Sequence, residues 1–306
     1  VQVRQNKGGF AGSGLLSATS RARNTDTMLR IDGQNGPGPL AKLGFSLQRA
    51  LSGSQPVIVE VTGTAPPCRF VCTSYREFKR AANLYLKEPG TIAWLQEELR
   101  PGDHFLDVGA NVGVFSIFAA LLHGGSVSVS AVEPHLVNAA RLMENVQASG
   151  VGDRVTVLNC ALAEAGGFSD FNYRSWLPAS SNSQLARNTD SHGRQFDAAA
   201  RELKAVASVD ELVNAGAVPR PNLVKIDVDG IEPQVLSGMK HLLTGDGRPR
   251  SLQVEVGPQT LSIIETQLEQ RGYRREARHF SKGGERRLAE AGTEREVSHN
   301  VIFRPA

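Results

Sequence analysis

Apolar and polar positions follow two rhythms along this chain, and one stretch follows neither. Residues 1–38 are rich in Gly, Ser, Asn, Arg and Thr and show no sustained period, which predicts a disordered N-terminal segment. From Pro39 to Ser52, Leu40, Leu43, Leu47 and Leu51 recur at helical spacing on one side and predict an amphipathic helix. PVIVEVTG and RFVCTS then read as short strands joined by a turn at Pro66 and Pro67, and helices through YREFKRAANLYL and TIAWLQEEL lead to the turn PGD. Residues 39–100 are therefore expected to form an extension packed on a core domain over 101–306. In that core, strands near 104–108, 127–132, 154–159, 222–228 and 251–256 alternate with helical segments. Such alternation predicts an α/β fold, a parallel sheet with helices on both faces.

The stretch 160–221 breaks the rhythm. Its polar segment WLPASSNSQLARNTDSHG, flanked by the strand candidates GFSDFNY and LKAVASV, reads as a hairpin-like insertion with a mobile tip. After Glu255, a helix LSIIETQLEQRG leads to a strand GYRREARHF, a basic turn and a last strand VSHNVIFRP; the final two strands can form a hairpin.

Composition narrows the class. At 306 residues one α/β domain with additions suffices. The longest apolar stretch, Gly113 to Leu122, is far short of the roughly 20 residues of a membrane helix. The opening VQVRQNKGGF carries no secretory signal pattern and no initiator Met. Three cysteines, Cys68, Cys72 and Cys160, argue against a disulfide framework and for a reducing, cytoplasmic setting, and no further ligands stand near Cys68 and Cys72 to complete a zinc site. A net charge of +3 does not imply nucleic acid. Arg271, Arg274, Arg275, Arg278, Lys282, Arg286 and Arg287 do crowd one stretch, either as a solvated hairpin tip or as a rim for an anionic substrate such as a phosphorylated or nucleotide-linked sugar.

The chemistry concentrates in FLDVGANVG (Phe105 to Gly113), followed twenty residues later by Glu133 in AVEP. A strand, a Gly-rich turn, a helix and a second strand ending in a carboxylate suit a nucleoside cofactor: Gly109 and Gly113 let the backbone approach, and Glu133 can accept from ribose hydroxyls. The GxNxG spacing, with Asn111 between the glycines, lacks the GxGxxG that seats a pyrophosphate and suits S-adenosylmethionine better than NAD. Asp107 can engage the ammonium of that donor's amino-acid end. Downstream, NLVKIDVDGIEPQVLSGM (Asn222 to Met239) is an apolar strand ending in Asp227 and Asp229, then Gly230 and a helix opening near Glu232.

With both landmarks in place, the chain resembles the FkbM family of S-adenosylmethionine-dependent methyltransferases. The matching pieces are Phe105 to Ile117, Ala131 to Val146, Ser208 to Leu212, Val224 to Met239, Val254 to Gly257 and Asn300 to Phe303. Together they cover roughly residues 85–306 in the family's order, and the pairing of GANVG with IDVDGIE is the specific part. Asp229 stands where the family's usual motif has Glu, and Ile231 where polar residues are common. The resemblance implies a Rossmann-like, seven-stranded class I methyltransferase sheet with its last strand antiparallel, and an O-methylated sugar, glycolipid or secondary-metabolite acceptor. It also implies donor-site roles for Glu88, Asp107, Gly109, Ala110, Asn111, Gly113, Glu133, Pro134, Asn145 and Ala161, with Asn145 as support and Ala161 at the adenine.

Methyl transfer to a hydroxyl releases a proton, so a base belongs at a strand C-terminus beside the donor; Asp227, Asp229 and Glu255 meet that criterion. A carboxylate closing an apolar strand needs a partner, which favours Asp227. Asp229 before Gly230 has turn formation as an alternative role. His135 and His299 fall near the crevice but read as structural. A Mg²⁺ ion shared by Asp227 and Asp229 requires the turn to begin between them, and the metal-free reading is preferred. No NPPY-like tetrapeptide follows the fourth core strand, against a nucleic-acid acceptor. A non-catalytic cofactor-binding module and a NAD-dependent oxidoreductase are the alternatives; the first is opposed by Asp107, Glu133 and Asp227, the second by the GxNxG spacing.

Overall fold

The computed structural model describes residues 28–53, 55–189 and 194–306. Its N-terminal part comprises β1 (Met28–Asp32), α1 (Pro39–Leu51), β2 (Val57–Thr62), β3 (Cys68–Cys72), α2 (Tyr75–Ala82), α3 (Leu84–Lys87) and α4 (Pro89–Glu98). Pro39 and Pro89 open their helices, where a missing N–H costs nothing. Ser74 caps α2 by accepting from the Glu77 amide. Strand β2 pairs parallel with β1 and antiparallel with β3.

Two expectations are corrected here. Residues 1–27 of the segment expected to be disordered lie outside the described residues, but Met28–Asp32 form β1, paired from Met28 with Ile58 through Asp32 with Thr62. Only Ile31 of that strand is buried, so its stability comes from ladder bonds to β2 and leaves little trace in the hydrophobic pattern. In α1 the buried residue is Phe45, stacked on Phe78 with ring centroids 4.5 Å apart, while Leu40, Leu43, Leu47 and Leu51 are exposed. Helical spacing shows that residues share a face; it does not show which face is covered.

The core continues with β4 (His104–Val108), α5 (Val114–Leu121), β5 (Ser128–Val132), α6 (Leu136–Ala148) and β6 (Val155–Leu158). An insertion follows: β7 (Ala161–Leu162), β8 (Gly167–Tyr173), β9 (Gln184–Leu185) and β10 (Ala200–Ala207). The chain closes with α7 (Val209–Asn214), β11 (Leu223–Ile226), α8 (Glu232–Ser237), α9 (Lys240–Thr244), β12 (Ser251–Val256), α10 (Leu261–Glu269), β13 (Tyr273–His279), α11 (Lys282–Ala291) and β14 (His299–Pro305).

Seven strands form the main sheet in the order β13-β14-β12-β11-β4-β5-β6. β14 runs antiparallel to both neighbours and the strands from β12 to β6 are parallel, as the resemblance implied. Every side chain of β4 and β11 is buried, because helices cover both faces. Alternate residues feed two apolar clusters: Phe105, Val129 and Ala131 on one face, Leu106, Val224, Ile226 and Val254 on the other. The first cluster also takes in Ile31, Val57, Val59 and Phe70, so the N-terminal sheet shares this core. Chain order reverses between β4 and β11, which opens a crevice beyond their C-terminal ends.

The insertion is larger than a hairpin. β8 and β10 pair antiparallel as expected, but β7 and β9 extend them into a four-stranded sheet. The expected basic turn before the last strand is instead helix α11, whose N-cap Ser281 accepts from the Gly284 amide. Two glycines in its first turn obscured that helix in the sequence. No helix among the described residues is long and apolar enough to cross a membrane.

Candidate active site

The crevice floor is the loop from Val108 to Val114. Gly109 adopts φ +82° against the end of β11, where a Cβ would fall 1.9 Å from the Asp227 carbonyl oxygen. Its amide and that of Ala110 donate to the Val132 carbonyl at 2.9 and 3.0 Å, tying the loop to β5. Asn111 is left-handed at φ 53°, and Gly113, at φ +83°, leads into α5. Side chains are absent where backbone and ligand must meet, so the loop is a cradle into which a nucleoside can press.

Glu133 stands at the end of β5 and lines the crevice. Its carboxylate accepts from the Asn111 amide (2.7 Å) and the His135 amide (2.9 Å), with Asn138 Nδ2 at 3.5 Å. Burial nevertheless pushes the carboxyl up to about 7. Oε1 takes the His135 and Asn138 donors, while Oε2, with the Asn111 amide as its one donor among the described residues, keeps a lone pair free. Pro134 and Ala161 line the same wall.

Beyond the cradle sits a group of acids with a buried cation among them. Lys225, 1% exposed, lies on β11 two residues before Asp227, which follows the strand's end, and reaches its Oδ2 at 2.7 Å. Burial disfavours ions at both ends, yet their attraction wins: Asp227 is held well below the usual carboxylate range and Lys225 above its own. Glu255, at the end of β12, hydrogen-bonds Asp227, and burial together with the Asp227 charge lifts its carboxyl well above normal. The two carboxyls are thus pushed in opposite directions, Asp227 down and Glu255 up. Glu88 stands immediately before α4 and is held by Lys87 at 2.8 Å; burial opposes its ionisation, but Lys87 and Lys225 keep it below the ordinary range.

Asp229 is turned away from the strand by a left-handed φ of 57°, so the turn does begin between the two aspartates. Its Oδ2 accepts from the Asn182 amide at 2.6 Å, and its carbonyl from Gln184 Nε2 at 2.9 Å. Glu232 Oε1 accepts from the Val228 and Gly230 amides at 3.3 and 3.0 Å, bracing this turn; burial raises its carboxyl to about 7.

A strap from Ser175 to Gln184, read from sequence as part of a mobile tip, lies across the crevice. The Ser180 carbonyl accepts from Asn111 Nδ2 (2.7 Å) and Asn138 Nδ2 (3.0 Å), while Arg76 and Arg80 of α2 donate to the Ser180 and Ser181 hydroxyls at 2.9 and 3.1 Å. His135 is spent on structure: Nδ1 accepts from the Asn138 amide and Nε2 donates to the Ser175 carbonyl. His299 likewise donates Nδ1 to the Val297 carbonyl and stacks on Phe280.

The crevice thus gathers Glu88, Gly109, Asn111, Glu133, Pro134, Ala161, Asp227, Asp229 and Glu255 in one wall. Four other expected residues stand behind it. Ala110 and Gly113 shape the loop. Asn145 braces it, donating to the Val112 carbonyl at 2.8 Å and accepting from the Val71 amide at 2.7 Å. Asp107 is buried behind the crevice lining, with Oδ2 on Ser116 at 2.6 Å and Oδ1 without a hydrogen-bond partner among the described residues. Sequence reading missed Lys225, whose charge interrupts an apolar strand two residues before an aspartate, a legible signal. It missed Arg80, Lys87 and the strap serines, which carried none.

The family described as the methyltransferase FkbM domain matches residues 107–275. The hexuronic acid methyltransferase AglP of Haloferax volcanii is 33% identical over 189 residues, covering 61% of this chain and 70% of that protein. The 31-O-demethyl-FK506 methyltransferase FkbM of Streptomyces tacrolimicus is 31% identical over 163 residues, covering 47% of this chain and 62% of its own length. Among solved structures, a precorrin-6y C5,15-methyltransferase from Geobacter metallireducens superposes with a TM-score of 0.41 at 14% identity, covering 71% of this chain and 86% of that one. With its glycine cradle, its carboxylate at the end of the second core strand and its acid-tipped fourth strand, the chain belongs to the FkbM family of S-adenosylmethionine-dependent methyltransferases.

Proposed function

We propose that the protein methylates a hydroxyl of a sugar or related small acceptor, with Asp227 receiving the proton. The observation that carries this reading is the placing of Asp227: its side chain is 28% exposed to the crevice, it adjoins the cradle at Gly109, and Lys225 keeps it ionised. Two relatives are named for acting on a hexuronic acid and on 31-O-demethyl-FK506, which supports an oxygen-rich, small acceptor.

Glu133 is suited to hold the ribose, the Gly109 and Gly113 turns to admit the nucleoside, and Ala161 to flank the base. Bound there, the donor supplies an electrophilic methyl group on a sulfonium and keeps the carbon–sulfur electron pair when the methyl leaves. Asp227 accepts a hydrogen bond from the acceptor hydroxyl and so aims an oxygen lone pair at the methyl. A carboxylate held this low is a weak base for an ordinary alcohol. As the oxygen–carbon bond forms, however, the oxygen turns cationic and its proton becomes more acidic than any carboxylic acid, so Asp227 can take it late in the step. Glu255 steadies Asp227 through its hydrogen bond, and the strap screens the crevice from bulk water.

Asp227→Asn preserves shape and removes the proton acceptor. Transfer of radiolabelled methyl to a panel of sugars and sugar acids is expected to fall roughly a hundredfold, while calorimetry shows S-adenosylhomocysteine affinity largely kept. Near wild-type turnover would overturn the assignment and move the search to Asp229 or Glu255.

A further inference from the structure

Next to the crevice, with Arg80 and Lys87 in the walls of both, lies a second pocket of about 510 Å³, within the usual range for small-molecule sites. Its walls carry Arg76, Lys79 and Arg80 from α2, Lys87 from α3 and Lys282 from α11, five cations from three helices, and none of its lining residues is acidic. Arg76, Lys79 and Arg80 fall at helical spacing i, i+3 and i+4, so like charges share one face of α2 and repel. The acid of that helix, Glu77, is buried toward Arg141 and does not relieve them. Arg76 and Arg80 each spend a nitrogen on a strap serine, a neutral partner. Lys79 and Lys282 are exposed, and neither has a carboxylate partner among the described residues. Lys282 and Gly283 also present the N-terminal, electropositive end of α11 to the same space.

This contrasts with much of the basic C-terminal stretch, where acids meet four of the arginines. Arg275 pairs with Glu265 and Glu294, each at 2.9 Å, Arg278 reaches Glu294, and Arg286 lies 3.8 Å from Glu290. Of the pocket's cations Lys87 meets Glu88 at 2.8 Å, whereas Arg76, Lys79 and Lys282 meet no carboxylate among the described residues. We infer that the Arg76–Lys79–Lys282 pocket is the acceptor's recognition subsite and takes an anionic group, a carboxylate or a phosphate, of the molecule whose hydroxyl reaches Asp227. This rests on the methyltransferase reading above and deepens it. An anion there would neutralise the α2 face and, because Arg76 and Arg80 also hold the strap, would settle the strap over the crevice as the acceptor binds.

The test uses the full chain saturated with S-adenosylhomocysteine, titrated calorimetrically with glucuronate (carboxylate), glucose 1-phosphate (phosphate) and glucose (neutral). At least one anionic sugar is expected to bind roughly tenfold or more tightly than glucose and to weaken as salt rises; which one does so identifies the anion. The double charge reversal Lys79→Glu with Lys282→Glu, both at exposed positions outside the donor site, is expected to abolish that preference while S-adenosylhomocysteine affinity stays the same. Equal binding of all three sugars, or an anion preference that survives the charge reversal, would overturn the inference. Loss of S-adenosylhomocysteine binding by the unmodified protein would count against the donor site instead, so the two failures are distinguishable.

Discussion

Lys225 on β11 and Asp227 just past its end form an ion pair of 2.7 Å that is sealed at one end and open at the other: the lysine side chain is 2% exposed and the aspartate 28%. The ammonium also faces Asp107 and Glu88 and lies 5.2 Å from the Phe115 ring centroid. It is thus the counter-charge for three carboxylates.

Replacing that cation exposes how much rests on it. Lys225→Met leaves the buried carboxylates uncompensated, and the expected loss is about 3–5 kcal/mol in urea unfolding at pH 7. Without the lysine the folded-state pKa values of Asp107 and Asp227 rise, so the deficit should shrink as pH falls and these groups take up protons. A deficit that is small, or that grows on acidification, would contradict this electrostatic account.

Glu232 allows a cleaner reading of pH dependence. Its folded carboxyl titrates at about 7, above the value of roughly 4.3 expected unfolded, so between those values the folded state binds the extra proton and stability contributed by this group is lost as pH rises. Glu232→Gln keeps an oxygen for the Val228 and Gly230 amides and carries no charge. Relative to wild type it should gain on the order of 3 kcal/mol between pH 5 and pH 8, read as the difference in unfolding free energy at the two values. A pH-independent difference would show that the carboxyl is not perturbed.

Glu133 is tested through the ligand. Glu133→Ala removes the carboxylate proposed to hold the ribose and the partner of the Asn111 and His135 amides, and should weaken S-adenosylhomocysteine binding by about 1–3 kcal/mol. Isothermal calorimetry on the folded variant decides it; unaltered affinity takes Glu133 out of the site.

Gly109→Ala places a methyl against the rigid Asp227 carbonyl and at a left-handed φ, both unfavourable. The melting free energy should drop by roughly 2 kcal/mol or more, with S-adenosylhomocysteine affinity falling alongside. Retention of both would mean that the cradle tolerates a side chain.

The alternation of strand and helix from His104 onward, the glycine turn, Glu133 and the aspartates at the end of β11 were all legible in the sequence, because each depends on residues near one another along the chain. Period, turn chemistry and strand-end charge are local, and the parallel sheet and its crevice follow from them. Tertiary structure alone decided what those local signals face. Spacing grouped four leucines on α1, but the covered face proved to be that of Phe45. The basic residues from Arg271 to Arg287 cluster in sequence yet are largely met by acids in space, whereas Arg76, Lys79 and Lys282, two hundred residues apart, converge without one. The strap from Ser175 to Gln184 has no hydrophobic period because it is held by hydrogen bonds from Arg76, Arg80, Asn111 and Asn138, donors supplied by three distant elements. Burial and electrostatic partnership are properties of the folded chain, and no one-dimensional pattern encodes them.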